Sequence, residues 1–491
     1  MNADQREGVR SNAKYLRNVR PLDPEEISEY VEGQPHPAAV RQVLRESAVE
    51  LGLVERDDGL FVPVEAGPVA VTFDGVETFP ERYGRVLEDL LVERYGAGWP
   101  EGDSGRRIRK RIRAVKAAYL RGETVEYDEE TALAYAVYHL PGYYAAAQCV
   151  LAELVADRLL PRRLRVLDVG AGVGGPALGL CDLLPEDALL DYHAVEPGAG
   201  ADVLEEMLPE TGRNVHAAIH RTTAEAFDPS EVGDGGGSEA DGQFDLILFA
   251  NVLSELADPE SALREYADAL ATDGTLVALA PADRNTAVGM RAVERAVTDR
   301  GPYDVYAPTV RLWPGETPAD DCWSFDVRPD LAVPGFQRRL DTAVDDQGSP
   351  SDGPDGTAPR DGEFVNVDVQ YAYSLLRRDD RRRHDFELDP GGAARFADSE
   401  SHVTNRVDCY AAKLSHDLAD GGNPLFLLGD GSQRVSHFAV LAKETALNAD
   451  LASAGYGEVL AFENVLVLWN DDEEAFNLVV DDETVVDRVP P

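Results

Sequence analysis

The stretch VLDVGAGVGG, residues 166–175, carries the strongest structural signal in the chain. Its first half reads as a buried strand, and the apolar run GPALGLCDLL that overlaps its end reads as a helix. Gly170, Gly172 and Gly174 separate the two, and a backbone without Cβ atoms there can turn tightly and lie directly against a ligand. Strand, glycine loop and helix in this order predict a ligand site at the carboxyl end of a parallel strand.

The sequence around this stretch repeats the same alternation. Between residue 163 and about residue 380, helix-like pieces separate most of the apolar runs RVLDVG, LLDYHAVE, VHAAIHR, FDLILFAN, GTLVALAP and VNVDVQYAYSLL. This pattern predicts an α/β domain, residues 161–385, with a doubly wound and mostly parallel sheet. Two tracts rich in Gly, Asp and Ser, residues 229–242 and 345–363, interrupt the domain and are expected to be disordered surface loops.

Different patterns flank this domain. Residues 1–79 contain two helix-like segments followed by two strand-like pieces around a D-D-G turn, which predicts a winged-helix-like unit. Residues 80–160 read as a helical region. Residues 400–491 contain five strand-like runs divided by turns, which predict a small β-barrel of the oligonucleotide/oligosaccharide-binding (OB-like) type. A barrel used for packing or dimerisation fits the same pattern, because this segment has few basic residues.

The charge balance of the chain is strongly acidic. Its 491 residues include 91 acids and 46 bases, and only five of the bases are lysine, so the formal net charge is −45. Such a composition resembles that of proteins from salt-loving archaea, and it reports on the solvent more than on function. No apolar run approaches the roughly 20 residues that span a bilayer, so we expect a cytoplasmic protein without a membrane partner. The four dispersed cysteines predict buried thiols and no metal site.

One segment departs from this acidic background. Residues 106–121 hold eight bases and no acid, and Ile108, Ile112, Val115 and Tyr119 recur at helical spacing. We interpret the segment as a helix whose bases contact a phosphate backbone, whereas a solvated face paired with acids elsewhere is the alternative. The expected RNA-binding residues are Arg106, Arg107, Arg109, Lys110, Arg111, Arg113 and Lys116.

The glycine pattern alone does not separate two ligands, because it fits a dinucleotide as well as S-adenosylmethionine. Asp168 favours S-adenosylmethionine, since a carboxylate would attract the methionine ammonium group and repel a pyrophosphate. Glu196, after the second strand, is placed to accept hydrogen bonds from a ribose diol of either ligand. A loop that binds nothing is the remaining alternative. The expected cofactor-binding residues are Asp168, Gly170, Gly172, Gly174, Glu196 and Asn251.

Three segments together resemble one known family. AYAVYHLPGYYAAAQCVLAEL, VLDVGAGVGG and NVLSEL look like the methyltransferase-like family associated with the small ribosomal subunit, over roughly residues 131–378. The resemblance implies a class I methyltransferase sheet, S-adenosylmethionine as cofactor, and the small ribosomal subunit or its RNA as partner, with no DNA partner expected. In the family's tyrosine-rich segment His139 stands where arginine is usual, whereas the positions that match are Tyr135 or Tyr138, Leu140, Pro141 and Tyr144.

Two departures from the family bear on chemistry. Many members carry a cysteine cluster suited to an iron-sulfur centre, but here only Cys322 falls in the corresponding region, and a cluster normally takes four ligands, so we expect none. The acceptor clamps usual in RNA methyltransferases are also missing from the sequence. Asn251 and Glu255 occupy the corresponding place: Asn251 could orient a substrate group and Glu255 could act as a base, although in NVLSEL both could simply stabilise the turn.

Three functions remain open on this evidence. The leading hypothesis is a methyltransferase that acts on or binds the small ribosomal subunit or its RNA in assembly or translation. A non-enzymatic assembly factor that keeps S-adenosylmethionine as a structural ligand is the second. A small-molecule or protein methyltransferase is the third, and it leaves the basic helix and the barrel unexplained.

Overall fold

The computed structural model describes residues 1–123, 125–232, 244–299, 301–308, 310–343, 362–384, 388 and 391–490. Most of the two predicted surface loops, 229–242 and 345–363, lies outside the described residues. At their described flanks, Pro229–Glu231 forms a short 3-10 helix and Glu363 pairs with Arg113.

The α-helices, numbered α1 to α14 in chain order, are Ala3–Leu16, Pro24–Tyr30, Pro37–Glu46, Ala48–Leu51, Glu81–Tyr95, Gly102–Leu120, Glu129–Ala156, Gly175–Leu183, Gly200–Met207, Pro259–Ala267, Arg284–Thr298, Gly335–Thr342, Ser399–His402 and Ala449–Ser453. The strands, numbered β1 to β16, are Leu53–Glu55, Phe61–Pro63, Arg163–Val169, Leu189–Val195, Val215–His220, Phe244–Ala250, Leu270–Pro281, Asp304–Ala307, Asp326–Arg328, Val369–Arg377, Arg406–Lys413, Leu425–Gly429, His437–Leu441, Val459–Asn470, Ala475–Val480 and Val485–Arg488.

The chain divides into two compact units. The first contains Met1–Ala250, Asp268–Ala271 and Pro329–Val369, and the second contains Asn251–Ala267, Thr272–Arg328 and Gln370–Pro491. This division passes through the predicted domain 161–385, whose boundaries stay a prediction.

The N-terminal part of the first unit is a helical module with a two-stranded hairpin. Asp23 caps α2 through the Glu25 amide, and Pro24 sits at the first helical position, where its missing N–H has no cost. β1 and β2 pair antiparallel. Asn214 fixes the hairpin to the start of β5, because its side chain accepts a hydrogen bond from the Glu55 amide at 2.8 Å and donates one to the Glu55 carbonyl at 3.1 Å.

Helices α5, α6 and α7 follow as predicted for residues 80–160. Asp128 caps α7 by accepting from the Thr131 amide at 2.8 Å. Helix α8 packs directly on the backbone of α7, since a Cβ added to Gly179 would lie 2.7 Å from the Tyr144 carbonyl oxygen. Small residues on α8 therefore set the distance between the two helices.

Four parallel strands form the sheet of the first unit, in the order β5-β4-β3-β6. In this register Asp168 on β3 lies opposite Ala194 on β4 and Leu248 on β6. The carboxyl ends of these strands therefore meet at one edge, where the glycine loop follows β3.

The second unit contains antiparallel strands and a barrel. β10 pairs antiparallel with β7 and with β8, and β9 also pairs with β10. Strands β11-β12-β13-β15-β14 close into a ring because β11 pairs with β14 as well as with β12, and β13 runs parallel to β15. The five predicted barrel strands are thus present. The short strands β8, β9 and β16 were not expected from the sequence.

No helix in the described part of the chain combines the length and the apolar character needed to cross a bilayer.

Candidate functional site

The glycine loop forms the tight turn that its three glycines predict. Gly170, Gly172 and Gly174 have φ angles of 69°, 55° and 89°, in the left-handed region that side chains with a Cβ rarely adopt. The loop is tied to the next strand, since the Gly170 amide donates to the Val195 carbonyl at 2.8 Å. Gly174 is the N-cap of α8 and supplies no side-chain cap, so the first amides of this helix can meet a ligand.

Helix α9 packs against the glycine loop. A Cβ added to Gly200 would lie 2.8 Å from the Gly172 carbonyl carbon, and one added to Gly174 would lie 2.5 Å from Leu204 Cδ1. Such close approach leaves the loop little room to move toward α9. The approach of Gly200 to Gly172 was not predictable from the sequence, because Gly200 belongs to an ordinary GAG turn.

Asp168 lies under the loop and is completely buried. Its Oδ2 accepts a hydrogen bond from the Tyr192 hydroxyl at 2.6 Å, whereas Oδ1 has no hydrogen-bond partner. Burial raises the pKa of Asp168 to about 7, and the carboxylate of Glu196 contributes in the same direction. Tyr192 was not predicted from the sequence, and its strand, which also contains Asp191 and His193, offered no signal that singled it out.

Glu196 joins the two loops that follow β3 and β4. Its Oε2 accepts from the Gly172 amide at 2.9 Å and its Oε1 accepts from the Gly198 amide at 2.7 Å. A carboxylate offers about four acceptor positions, so two remain for hydroxyl donors of a ligand. The structure thus brings Asp168, the glycines and Glu196 together as predicted from their positions after β3 and β4.

Asn251 belongs to the second unit and directly follows β6. It adopts a left-handed conformation with φ of 61°, which is uncommon for a residue with a side chain, and its amide donates to the Leu279 carbonyl at 2.9 Å. A cavity of about 190 Å³ opens here between the segment after β6 and helix α11, and Asn251, Ser254, Asn285 and Thr286 provide its polar lining. Glu255 is exposed and does not line this cavity, so the two residues proposed for catalysis are not brought to it together.

The basic helix is α6, and the structure corrects its expected role at one residue. Arg109 is 3% exposed and donates to the carbonyl oxygens of Pro100 at 3.0 Å and Leu340 at 3.1 Å, so it holds the helix in place and cannot face RNA. Arg113 forms a bidentate ion pair with Glu363 at 2.6 and 2.8 Å.

The other bases of α6 lie nearer the surface. Arg106 pairs with Asp103, Arg107 with Glu130 at 2.6 Å, and Arg111 with Asp128 at 3.4 Å, while Lys116 donates to the Tyr138 hydroxyl at 2.8 Å. Lys110 is exposed. The alternative interpretation, pairing with acids, therefore describes Arg106, Arg107, Arg111 and Arg113, and an RNA contact of the exposed bases stays a prediction.

The cysteines have the buried environment expected of small apolar side chains. Cys149, Cys181, Cys322 and Cys409 are buried and form no disulfide within the described part of the chain, and burial raises the pKa of Cys322. Among the described residues, no group of three or more His, Cys, Asp or Glu side chains is arranged to hold a metal ion.

Family models match three separate parts of the chain. Residues 143–332 match a methyltransferase domain. Residues 6–57 and 397–489 match the N-terminal and the C-terminal domain of a family described as a domain of unknown function (DUF8157). A search of curated proteins returns no match.

Several solved methyltransferase structures are similar to parts of the chain. A putative S-adenosyl-L-methionine-dependent methyltransferase from Methanococcus maripaludis is 15% identical with a TM-score of 0.25, and the match covers 32% of this chain and 65% of that one. A putative O-methyltransferase from Nostoc punctiforme is 18% identical with a TM-score of 0.26, and the match covers 57% of this chain and 76% of that one. Phosphoethanolamine N-methyltransferase 2 from Haemonchus contortus, in complex with S-adenosyl-L-methionine, is 20% identical with a TM-score of 0.18, and the match covers 24% of this chain and 24% of that one. The chain thus spans slightly less than two thirds of the first of these proteins.

The domain match and the strand arrangement together show a class I, S-adenosylmethionine-dependent methyltransferase-like fold with a mixed central sheet. A closed five-stranded β-barrel lies near the C-terminus. The predicted fold class is therefore confirmed.

Proposed function

We propose that the first unit binds S-adenosylmethionine and that the protein is a methyltransferase acting on RNA of the small ribosomal subunit. The observation that carries the cofactor assignment is Asp168 Oδ1, a buried carboxylate oxygen without a partner beneath a glycine loop. Such an orphan acceptor costs roughly 1–3 kcal/mol, and a cationic ligand relieves that cost directly or through a water molecule. The methionine ammonium group is such a cation, whereas a pyrophosphate is not.

The remaining residues of the site fit the rest of the cofactor. Glu196 keeps acceptor positions for the ribose hydroxyls, and the uncapped amides at the start of α8 suit the methionine carboxylate. Bound S-adenosylmethionine supplies an electrophilic methyl group on a sulfonium. The task of the protein residues is to hold donor and acceptor in line and to exclude water, which is the main source of acceleration in such a transfer.

The acceptor assignment is supported by the exposed part of α6. Arg107, Lys110 and Arg111 lie at the surface, and exposed ion pairs such as Arg107–Glu130 contribute little to stability, so phosphates can replace the acids. Arginine is well suited to this because its planar fork matches phosphate oxygens. The net charge of −45 supports a salt-rich working environment, in which an acidic protein approaches RNA with less repulsion.

Co-sedimentation with small ribosomal subunits tests the RNA assignment. Arg107→Glu, Lys110→Glu and Arg111→Glu combined should weaken association at least several-fold while leaving S-adenosylmethionine affinity unchanged. Arg221→Glu is the matched control, because Arg221 is also exposed and paired with two acids, Asp202 and Glu205. Equal co-sedimentation of the triple variant and the wild-type protein would remove RNA from the proposal.

A second function is favoured by one observation in the second unit. Among the residues that the structure describes, the cavity beside Asn251 has no ionisable side chain in its lining, so these residues offer no general base. This supports a non-enzymatic assembly factor that keeps the cofactor as a structural ligand. The two functions are separated by incubating the purified protein with small subunits from a deletion strain and S-adenosylmethionine that carries a radiolabelled methyl group. Label incorporated into RNA identifies an enzyme. Tight cofactor binding without incorporation identifies the assembly factor.

A further inference from the structure

Five aromatic side chains form one connected group on and just before α7. We call them the tyrosine–histidine cluster: Tyr127, Tyr135, Tyr138, His139 and Tyr143. Tyr135 lies at its centre, with ring centroids 5.5 Å from Tyr127, 4.5 Å from His139 and 6.0 Å from Tyr143. His139 and Tyr143 stack with an interplanar angle of 21°. All five side chains are partly exposed, whereas most other residues of α7 are buried.

The cluster borders the glycine-loop site at two points. A Cβ added to Gly175, the first residue of α8, would lie 2.9 Å from Tyr143 Cβ. On the other side, a Cβ added to Gly198 would lie 2.9 Å from Glu196 Oε1 and 3.2 Å from Tyr127 Cβ, and the Tyr127 carbonyl accepts from the Ala199 amide at 3.2 Å. Tyr143 therefore lies beside the start of α8, and Tyr127 lies beside the turn that follows Glu196.

The chemical character of the cluster is aromatic with one adjacent cation. Partial burial, with a smaller contribution from Lys116, lowers the pKa of His139, so this ring is neutral at physiological pH. Lys116 of α6 lies over the Tyr138 ring, with Nζ 4.5 Å from the centroid. Flat uncharged rings beside a lysine suit a planar group that is linked to an anion.

We propose that the tyrosine–histidine cluster stacks a nucleobase of single-stranded RNA next to the methyl-donor site. The proposal rests on the proposed function and names the acceptor of that same site. A nucleobase fits because every base offers a π-face to an aromatic ring, and because its strand carries phosphates that Lys116 can contact. Stacking also persists at high salt, where phosphate contacts alone weaken.

The competing occupant of the cluster is the adenine of the cofactor itself. It would make S-adenosylmethionine binding depend on the rings, whereas the proposal makes RNA binding depend on them. The two are separated by measuring both affinities for the same variants. The variants are Tyr135→Leu and His139→Leu, which keep apolar volume but remove the ring, and Tyr135→Phe is the matched control that keeps the ring and removes only the hydroxyl.

The first measurement is calorimetric titration with S-adenosylmethionine, and the second is fluorescence anisotropy of a labelled mixed-sequence RNA of about ten nucleotides, the size range that single-strand sites cover. Tyr135→Leu should weaken RNA binding by roughly ten-fold, in line with the loss of one stacking contact. The same variant should bind S-adenosylmethionine as the wild-type protein does, and Tyr135→Phe should resemble the wild-type protein in both measurements.

Several outcomes would overturn the stacking site. A loss of S-adenosylmethionine affinity in Tyr135→Leu would assign the rings to the cofactor, and unchanged RNA binding in both leucine variants would remove the rings from RNA recognition. Competition by a free nucleoside monophosphate at the same concentration as the RNA would exclude an RNA strand as the preferred ligand. Failure of the wild-type protein to bind S-adenosylmethionine would instead reject the proposed function, independently of the RNA result.

Discussion

Asp168 lies beneath the glycine loop, where its carboxyl group is completely buried. Burial raises its pKa from an ordinary value of 3.8 to about 7, and only one of its two oxygens has a hydrogen-bond donor. The carboxylate is therefore poorly stabilised by the fold alone. This is the pattern expected of a binding residue: the free-energy cost of burying its carboxylate is offset by a ligand rather than by contacts within the fold.

Cofactor affinity should depend on pH through this residue. The ammonium group attracts the ionised form of Asp168, so S-adenosylmethionine binding should weaken as pH falls below about 7, approaching a ten-fold loss per pH unit. Calorimetry across this pH range measures the effect. A flat profile would show that Asp168 does not exchange its proton on binding.

Stability should depend on pH in the opposite sense. Between about pH 4 and about pH 7 the folded protein keeps a proton on Asp168 that the unfolded chain has lost, so this residue makes stability fall as pH rises. Asp168→Asn removes the charge and should raise the unfolding temperature at about pH 8 more than at about pH 4. An equal change at both pH values in thermal denaturation would contradict the raised pKa.

At the scale of elements, α6 shows what the sequence could and could not provide. The spacing of Ile108 and Ile112 correctly predicts a buried stripe, and both residues are buried. The prediction that Arg109 contacts RNA was wrong. Its acceptor, the Leu340 carbonyl, lies 231 residues further along the chain, so no local pattern in the sequence could reveal it. By contrast, Asp168, the glycine loop and Glu196 were predictable because each lies within a few residues of a strand end, where local pattern and fold class together fix the position.

Arg109 should matter for stability and not for RNA. Arg109→Met removes the donor to two carbonyl oxygens and should lower the free energy of unfolding by about 3 kcal/mol, since buried acceptors without donors are costly. Arg107→Met, on the same helix but exposed, should leave stability unchanged. Denaturant unfolding compares the two variants, and equal stability of both would mean that Arg109 is not the internal anchor described above.

At the scale of the whole molecule, the sequence predicted the fold class and the C-terminal barrel, because strand alternation and turn residues are local signals. The two compact units of the structure each combine three separate ranges of the chain. Such a division depends on contacts between distant segments. The acidic charge, however, is a property of the whole chain that composition alone gives.

The charge of −45 should make stability depend on salt. Self-repulsion among the excess acids opposes the compact state, and ions screen it. The unfolding temperature should therefore rise as potassium chloride increases from low to molar concentration. A constant or falling unfolding temperature in calorimetric scans would show that repulsion does not limit stability.

The most direct test of the account is isothermal titration of the purified protein with S-adenosylmethionine at high potassium chloride, with NADH as comparison ligand and Asp168→Asn as comparison variant. We predict one site per chain for S-adenosylmethionine, no binding of NADH, and at least a ten-fold loss of affinity in the variant. Binding of NADH in place of S-adenosylmethionine, or equal affinity of the variant and the wild-type protein, would contradict the assignment of the glycine loop and Asp168 to the methyl donor.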